Sequence, residues 1–376
     1  MGDHIVCLNQ DESKIAAAFK TALEKIGDPH SGIVFNFYRF EYKGRDDTWY
    51  RGEIFPMTDP KSSFDKGSGN RVSIWIRAAA DERRMRELVH HLLPLEDNAL
   101  LKPCFAAYNS MLGKTVVSCM PCTEDFSSWI SRQTQVQSDG YLHDEAKRMI
   151  WSVVSFSKVL WVNGFVCDGL DDPKNYAMMD THVKVLPFTI RKKAITDSKM
   201  TNRNKVADLL ENHLNTKWND IDVVEFIKCL RDPKLSLDVL LNHPLFLPPE
   251  RRMALYVILW DVHFSPEHRD RYDAITSHAN WTNLVSANDT TLLKILTYDE
   301  KNENNNICMY RNTTLQAHKF ARDSCSHYFE QLRKSKKEKK RPNISPDMVD
   351  RPLKKLLPGL LSKVYALASS QDWKSV

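Results

Sequence analysis

The sequence contains no apolar run long enough to cross a membrane, which excludes the transmembrane class. A spanning helix needs roughly 20 consecutive apolar residues, and no stretch of this 376-residue chain approaches that length. The N-terminus shows no basic segment followed by an apolar one, so no secretory signal is expected. We therefore expect a cytoplasmic protein with no membrane partner.

The cysteine pattern provides neither a disulfide framework nor a metal site. The 8 cysteines are scattered along the chain, as is typical of proteins in a reducing compartment. Cys119 and Cys122 have CxxC spacing, but no second CxxC and no His pair follow at the distance of a zinc site. Packed thiols are the favoured interpretation, and no metal ligands are predicted.

Overall composition excludes little else. The net charge of +5 is mild, and a hydrophobic share of 42% is ordinary for a globular protein. The length allows two or three domains with cores of their own. Any function must therefore be found in local motifs.

The distribution of residue types predicts an α+β chain in which strands precede helices. A first amphipathic helix is predicted over residues 11–26. An antiparallel sheet is predicted from runs rich in β-branched and aromatic residues at 33–40, 48–55 and 72–76, and two further apolar runs follow at 104–107 and 116–119. Helices are predicted from apolar residues at 3–4 residue spacing, at 81–93, 145–160, 205–214, 223–230 and 237–241, interrupted by a short β pair at 176–179 and 183–186.

Three segments resemble parts of a protein kinase. Residues 118–130 are similar to the last strand, hinge and next helix of that fold, residues 162–178 to its catalytic-loop region, and residues 231–246 to its last helices. This resemblance implies a bilobal kinase-like domain over 32–246, after an N-terminal helical extension over 1–31.

The chemistry of a kinase is nevertheless mostly absent. Phosphoryl transfer needs a base-positioning Asp, a metal-binding Asp, a glycine-rich phosphate loop and a Lys. Cys167-Asp168-Gly169 stands where HRD is expected, Pro187-Phe188-Thr189 replaces DFG, and no GxGxxG opens the first hairpin. We predict a degenerate kinase-like domain without kinase activity. Its nucleotide-binding residues stay unassigned, and ATP or ADP binding is left open.

Residues 317–332 predict a helix with ionisable side chains along one face. Apolar and small residues recur at the spacing of a buried stripe, while Lys319, Asp323 and His327 follow one another at four-residue intervals and Arg322 lies beside them. An arginine and a histidine a turn apart could hold a phosphate and move a proton. The alternative is a solvated face with a ladder of ion pairs, which contributes little.

The last third of the chain resembles a kinase-extension nuclease (KEN) domain, as found in the endoplasmic-reticulum stress sensor with kinase and ribonuclease activities and in RNase L. Residues 247–256 are similar to the junction between the two domains. The family signature Arg-Asn-x-x-x-His-Tyr becomes Arg322-Asp323-x-x-x-His327-Tyr328 here. Residues 357–365 are similar to its closing aromatic-Pro-x-Leu-Leu-x-x-x-Tyr helix, with Leu357 in place of the aromatic residue. The resemblance implies an all-α KEN domain over 247–376.

The resemblance also implies a reaction and its residues. KEN nucleases cut single-stranded RNA loops without metal or cofactor, as back-to-back dimers, leaving a 2′,3′-cyclic phosphate. Carried over, His327 protonates the leaving oxygen, Arg322 stabilises the phosphorane charge, and Tyr310 is the candidate for the catalytic tyrosine. Asp323 stands where the family has Asn, and a carboxylate cannot donate a hydrogen bond to phosphate.

A basic cluster over residues 333–342 extends this interpretation. Together with Lys319, four of its lysines are predicted to bind the RNA backbone, namely Lys336, Lys337, Lys339 and Lys340. A nuclear-import signal, and hence a nuclear location, or a plain solvated loop are the alternatives. In a second possible register Arg311-Asn312 keeps the family dipeptide, but Gln316 stands at the histidine position and His318 lies two residues late.

Two function hypotheses follow. The first is an RNA-binding, weak, metal-independent endoribonuclease of the KEN type with a dead kinase-like domain, acting as a homodimer. The second is a non-catalytic interaction protein that keeps both folds and regulates a partner or a full-length relative by heterodimerisation. The retained Arg322 and His327 favour the first, and Asp323 favours the second.

Overall fold

The computed structural model describes the chain from the first strand to the last helix, with gaps. The described residues are 35–42, 49–56, 72–79, 91–92, 95, 97–109, 114–119, 122–133, 141–193, 195–263, 281–284, 292, 310, 313–337 and 345–370. Only the backbone is described for 35–42, 49–56, 72–79, 103–109, 114–118, 195–198, 263, 283–284 and 336. The predicted extension over 1–31 lies outside these residues.

The first five strands of the chain form one antiparallel sheet, and the sequence predicts the first three of them as such a sheet. Its strands pair in the order β1-β2-β3-β5-β4. They are β1 (Phe35–Tyr42), β2 (Trp49–Pro56), β3 (Val72–Ala79), β4 (Pro103–Asn109) and β5 (Lys114–Cys119). β-branched and aromatic residues suit a pleated surface, and the predicted strands agree with these to within a few residues.

Two small sheets follow. In one, β6 (Glu124–Asp125), β8 (Tyr176–Met179) and β9 (His182–Val185) pair side by side, and in the other β7 (Phe165–Cys167) pairs with β10 (Ile190–Lys192). The β8–β9 hairpin confirms the β pair that the sequence predicts.

The remainder is helical. The helices are α1 (Phe126–Arg132), α2 (Asp144–Val162), α3 (Ile195–Leu209), α4 (Asn215–Trp218), α5 (Ile221–Arg231), α6 (Leu237–Leu241), α7 (Pro249–His263), α8 (Trp281–Leu284), α9 (Thr314–Lys337), α10 (Asp347–Leu356) and α11 (Leu360–Ser370). A π-helical segment, Leu210–Leu214, joins α3 to α4. None of the described helices has the length and apolarity needed to span a bilayer. The α+β class is therefore confirmed.

The chain forms two compact units. The first contains Met1–Ser131 and Val159–Ser198, and the second contains Arg132–Lys158 and Lys199–Val376. Helices α7 to α11 thus belong to the same unit as α4 to α6. The domain boundary at residues 246/247 stays a prediction.

The helical unit has an apolar core shared by α7, α9, α10 and α11. Tyr256 of α7, Phe320 of α9, Leu353 of α10 and Leu360 of α11 are almost fully buried in it, together with Trp281 of α8. Burying a large apolar side chain is worth about 1.5–3 kcal/mol, so this core holds the four helices together.

A buried charge network crosses the same unit, and Arg252 on α7 is its centre. Its guanidinium donates to Asp350 at 3.1 Å, to Asp222 at 3.4 Å and to the carbonyl oxygen of Pro244 at 3.0 Å. The hydroxyl of Tyr141 donates to Asp350. We name Tyr141, Asp222, Arg252, Asp350 and Lys354 the Arg252 network.

The other cation of the network, Lys354 on α10, completes the charge balance. Its amino group lies 3.1 Å from Asp220 and 3.2 Å from Asp222, and the Ser362 hydroxyl donates to Asp222 at 2.9 Å. Burial opposes ionisation of Asp222, yet Arg252 and Lys354 outweigh it and hold the pKa of that carboxyl below its ordinary value. Burial raises the pKa of Asp350, although Arg252 works against the shift.

His243, just before the 3₁₀ turn Pro244–Phe246, couples stability to pH. The side chain is fully buried, its Nδ1 accepts from the backbone N–H of Leu245 at 3.2 Å, and its Nε2 has no hydrogen-bond partner among the residues that the structure describes. Burial lowers the pKa of His243 from 6.5 to about 3. Below pH 6.5 the unfolded chain therefore binds a proton that the folded chain does not. The contribution of His243 to the free energy of unfolding is complete above pH 6.5 and is lost as the pH falls towards 3.

We expect His243→Asn to reduce that pH dependence. Asn keeps a side-chain acceptor for the Leu245 N–H but does not titrate. Between pH 7 and pH 5 the wild type should lose about 2 kcal/mol more unfolding free energy than the variant, at 1.36 kcal/mol per pKa unit. Urea titrations of both proteins at the two pH values measure the difference, and parallel losses would contradict the assignment.

Candidate functional site

Helix α9 carries the residues that the sequence singles out. It begins with a Thr-x-x-Gln capping sequence, in which the Thr313 hydroxyl accepts from the backbone N–H of Gln316 at 3.2 Å. The buried stripe along it confirms the predicted spacing and faces the apolar core, with Ala317, Phe320, Ala321, Ser324, Cys325 and Tyr328 all buried. The register of the helix is thereby fixed, and the ionisable residues lie on the other side.

Asp323 is the centre of the candidate site. The Tyr310 hydroxyl donates to its Oδ2 at 2.9 Å, and the Arg322 guanidinium donates to its Oδ1 at 2.8 Å. Only 15% of the Asp323 side chain is exposed, so it does not belong to a freely solvated face. The structure thus brings together Tyr310, from the segment before α9, with two neighbours on the helix. We call Tyr310, Arg322, Asp323 and His327 the α9 site.

Arg322 is held by a second carboxylate that sequence reasoning missed. The Asp261 side chain on α7 accepts from it at 3.5 Å. The hydrogen bond with Asp323 raises the pKa of Arg322, and Asp261 adds to the effect. Asp261 is 61 residues upstream, and no motif or spacing connects it with the family signature, so only the packing of α7 on α9 reveals it.

His327 lies one turn after Asp323 and remains accessible. Its Nδ1 is 3.8 Å from the Glu330 carboxylate, and 37% of its side chain is exposed, compared with 35% for Arg322. The imidazole is thus partly open to solvent, whereas the Nε atom of Arg322 is buried and has no hydrogen-bond partner among the described residues. The site therefore contains a half-exposed imidazole, a half-exposed arginine and a buried tyrosine.

The predicted RNA-binding lysines are described only in part. The amino group of Lys319 lies 5.4 Å from the centre of the Tyr310 ring, a cation–π contact that adds a positive charge to the edge of the site. Lys337 is exposed on the last turn of α9. The side chain of Lys336 is not described, and Lys339 and Lys340 lie outside the described residues.

In the region similar to a kinase catalytic loop, the exposed aspartate Asp168 is engaged in an ion pair. Asp168 forms an ion pair with Arg191 through both carboxylate oxygens. Asn175 is buried in a 3₁₀ turn. A Cβ added to Gly169 would lie only 2.1 Å from the Nδ2 atom of Asn175. Pro187 stands where a metal-binding Asp is expected, and Pro187–Thr189 forms another 3₁₀ turn.

The structure also places the cysteines of the CxxC pair. Cys119 and Cys122 are both buried, and burial raises the pKa of the Cys122 thiol to about 12. Thiols protonated at neutral pH are poor metal ligands and nucleophiles. Within the described part of the chain, no group of three or more His, Cys, Asp or Glu side chains is placed to hold a metal ion.

Comparisons with known proteins give a likeness to solved structures only. No family model matches the chain, and no curated protein matches it. A crystal structure of Rad53 1-466 in complex with AMP-PNP matches with 14% identity and a TM-score of 0.38, over 62% of this chain and 70% of that chain. A TM-score this low supports no argument about this chain, which is characterised by its own α+β architecture and by the α9 site.

Proposed function

We propose that the chain is an RNA-binding protein of the KEN type whose α9 site cleaves RNA slowly and without metal, next to a kinase-like region that does not transfer phosphate. The observation that carries the proposal is the pair of hydrogen bonds from Tyr310 and Arg322 to Asp323, one turn before His327. These bonds hold a tyrosine hydroxyl and a guanidinium at one carboxylate, and the half-exposed imidazole follows one turn later on the same helix.

Each residue has a role in the reaction. The ribose 2′-hydroxyl attacks the adjacent phosphorus, the bond to the 5′-oxygen breaks, and a 2′,3′-cyclic phosphate and a 5′-hydroxyl result. His327 protonates the departing oxygen, because an imidazole gives and takes protons near neutrality. Arg322 stabilises the charge on the phosphorane. Tyr310 takes the proton of the attacking 2′-hydroxyl while its own hydroxyl proton passes to water, and no metal or cofactor takes part.

Asp323 limits the rate. Its carboxylate takes up the donors of Tyr310 and Arg322 that would otherwise meet the phosphate, and its charge repels the phosphate. A phosphate must therefore compete with a carboxylate already in place. Slow cleavage is the consequence.

The same observation favours a second candidate function. With Arg322 paired to Asp323 and to Asp261, the site resembles a structural ion-pair cluster. The second candidate is a non-catalytic interaction protein that forms a homodimer or a heterodimer with a relative. In such a protein the cluster has only a structural role.

Incubation with a stem-loop RNA in EDTA tests the proposal. The wild type should cleave single-stranded loop positions, and His327→Ala should abolish cleavage because it removes the imidazole of the α9 site. His213→Ala, on the π-helical segment, is the matched control and should cleave like the wild type. Equal loss in both variants, or cleavage that persists in His327→Ala, would overturn the assignment.

A further inference from the structure

The outward side of α9 carries cations well beyond the α9 site. At 3.6 residues per turn, successive residues are about 100° apart. Five basic side chains then fall within an arc of about 120°, and we call these the α9 basic face: Lys319, Arg322, Arg333, Lys334 and Lys337. With a rise of 1.5 Å per residue, the face extends about 27 Å along the helix.

Exposure increases along this face. Lys319 and Arg322 are half-buried beside the α9 site, whereas Arg333, Lys334 and Lys337 are exposed. Asp323 and Glu330 share the arc, but Asp323 is engaged by Arg322, and Glu330 lies 3.8 Å from His327. The sequence from 331 to 337 contains no acidic residue, so the exposed end of the face is uniformly positive.

Helix electrostatics alone does not account for the arrangement. Cations in the last turn of a helix interact favourably with its dipole, by about 0.3–1 kcal/mol, and the effect falls off within that turn. Lys319 and Arg322 lie about four turns earlier. The arrangement to be explained is two groups of cations on one side of the helix: Arg333, Lys334 and Lys337 at its exposed end, and Lys319 and Arg322 at the α9 site, with Asp323 and Glu330 between them.

We propose that the α9 basic face binds the phosphate backbone of single-stranded RNA and leads the strand from Arg333, Lys334 and Lys337 to the α9 site. The placement of the end of the RNA strand at the α9 site rests on the proposed function, but the binding of RNA to the α9 basic face does not. A flexible polyanion can follow cations along one side of a helix. Each lysine or arginine that neutralises a phosphate favours binding by releasing condensed counterions. Single strands can also present their unpaired bases to solvent or to other side chains.

The experiment measures binding to a 2′-O-methyl RNA oligonucleotide, which cannot be cleaved, by fluorescence anisotropy over a range of salt concentrations. The triple variant Arg333→Gln, Lys334→Gln, Lys337→Gln should bind more weakly. The slope of log affinity against log salt should become shallower by about 2, at about 0.7 per lost phosphate contact on a single strand. In the opposite direction, Glu330→Gln should tighten binding.

A second triple variant controls for net charge. Lys217→Gln, Lys234→Gln, Lys355→Gln removes the same three charges from exposed positions outside α9 and should leave the slope within about 0.5 of the wild type. Thermal unfolding of both triple variants checks that they fold equally well. Equal slopes for the two variants would overturn the proposal, as would a wild type that does not bind the oligonucleotide.

The outcomes separate this inference from the proposed function. If stem-loop RNA is never cleaved but the slope of log affinity against log salt is still shallower in the α9 triple variant, the α9 basic face binds RNA and the nuclease assignment fails. If cleavage occurs with the same KM in wild type and triple variant, the nuclease stands and the face is overturned. Loss of binding to phosphatidylserine vesicles with unchanged RNA binding would assign the face to a membrane surface, and would also overturn it.

Discussion

Replacing Arg252 by Met is expected to destabilise the helical unit by about 3–5 kcal/mol, the cost of removing one partner from a buried ion pair. Arg252 is almost completely buried and holds two carboxylates and a carbonyl oxygen. Met fills most of the volume but neutralises nothing, so Asp350 must bind a proton and Asp222 must rely on Lys354. Urea-induced unfolding followed by tryptophan fluorescence measures the change.

The neighbouring residue supplies the control. Arg251 is on the same turn of α7 but is exposed, so Arg251→Met should change the unfolding free energy by less than about 0.5 kcal/mol. If Arg252→Met does not accumulate as folded protein, Ser362→Ala gives a milder test, with an expected loss of about 1.5–3 kcal/mol for a hydrogen bond to a charged group. Arg252→Met within 1 kcal/mol of Arg251→Met would contradict this view of the network.

The Arg252 network also has a consequence for domain structure. It joins Tyr141 and Asp222, which lie before the predicted boundary at 246/247, to Arg252, Asp350 and Lys354, which lie after it. Buried charges separated from their partners are costly. We therefore expect residues 247–376 to be much less stable alone than in the whole chain.

Replacing Asp323 by Asn is expected to increase the rate of RNA cleavage by about ten- to a thousand-fold. Two unit charges 4 Å apart repel by about 1 kcal/mol in water and about 4 kcal/mol at the effective dielectric of a protein surface. Each 1.36 kcal/mol removed from the barrier is a factor of ten in rate. The amide oxygen can still accept from Tyr310, while the amide nitrogen can donate to phosphate and Arg322 is released from one of its carboxylates.

Asp261→Asn is the matched control for that prediction. It removes the other carboxylate from Arg322, but at 3.5 Å and from a side chain that is 53% exposed, where screening makes an ion pair worth little. The gain should therefore stay below about tenfold. Single-turnover cleavage of a labelled stem-loop RNA compares the two variants, and an Asp323→Asn rate no higher than that of Asp261→Asn would contradict the proposed role of Asp323.

Much of the architecture could be predicted from the sequence. Runs of β-branched and aromatic residues locate β1, β2 and β3, because such side chains fit a pleated sheet. The 3–4 residue spacing of Phe320, Ser324 and Tyr328 sets the buried side of α9, because one helical face must enter the core. The same spacing leaves Asp323 and His327 on the other side, so the signature itself indicates which residues are near one another.

The sequence could not reveal contacts that depend on tertiary packing. Asp261 meets Arg322, and Asp222 meets Arg252, only because helices distant in the chain lie side by side. Charged residues are expected at the surface, so composition gives no sign that Arg252, Asp222 and Asp350 are buried together. The sequence likewise predicts an ordinary helix across the π-helical segment Leu210–Leu214, because one extra residue in a turn leaves the apolar spacing almost unchanged.

The chemical identity of the cleaved ends tests the central claim most directly. Asp323→Asn protein is incubated with a stem-loop RNA in EDTA, beside Asp323→Asn, His327→Ala protein, and the fragments are weighed by mass spectrometry. We expect the first protein to yield fragments ending in a 2′,3′-cyclic phosphate, paired with 5′-hydroxyl fragments, and the second to yield intact RNA. Intact RNA with both proteins, or fragments that require divalent metal, would contradict the assignment of RNA cleavage to the α9 site.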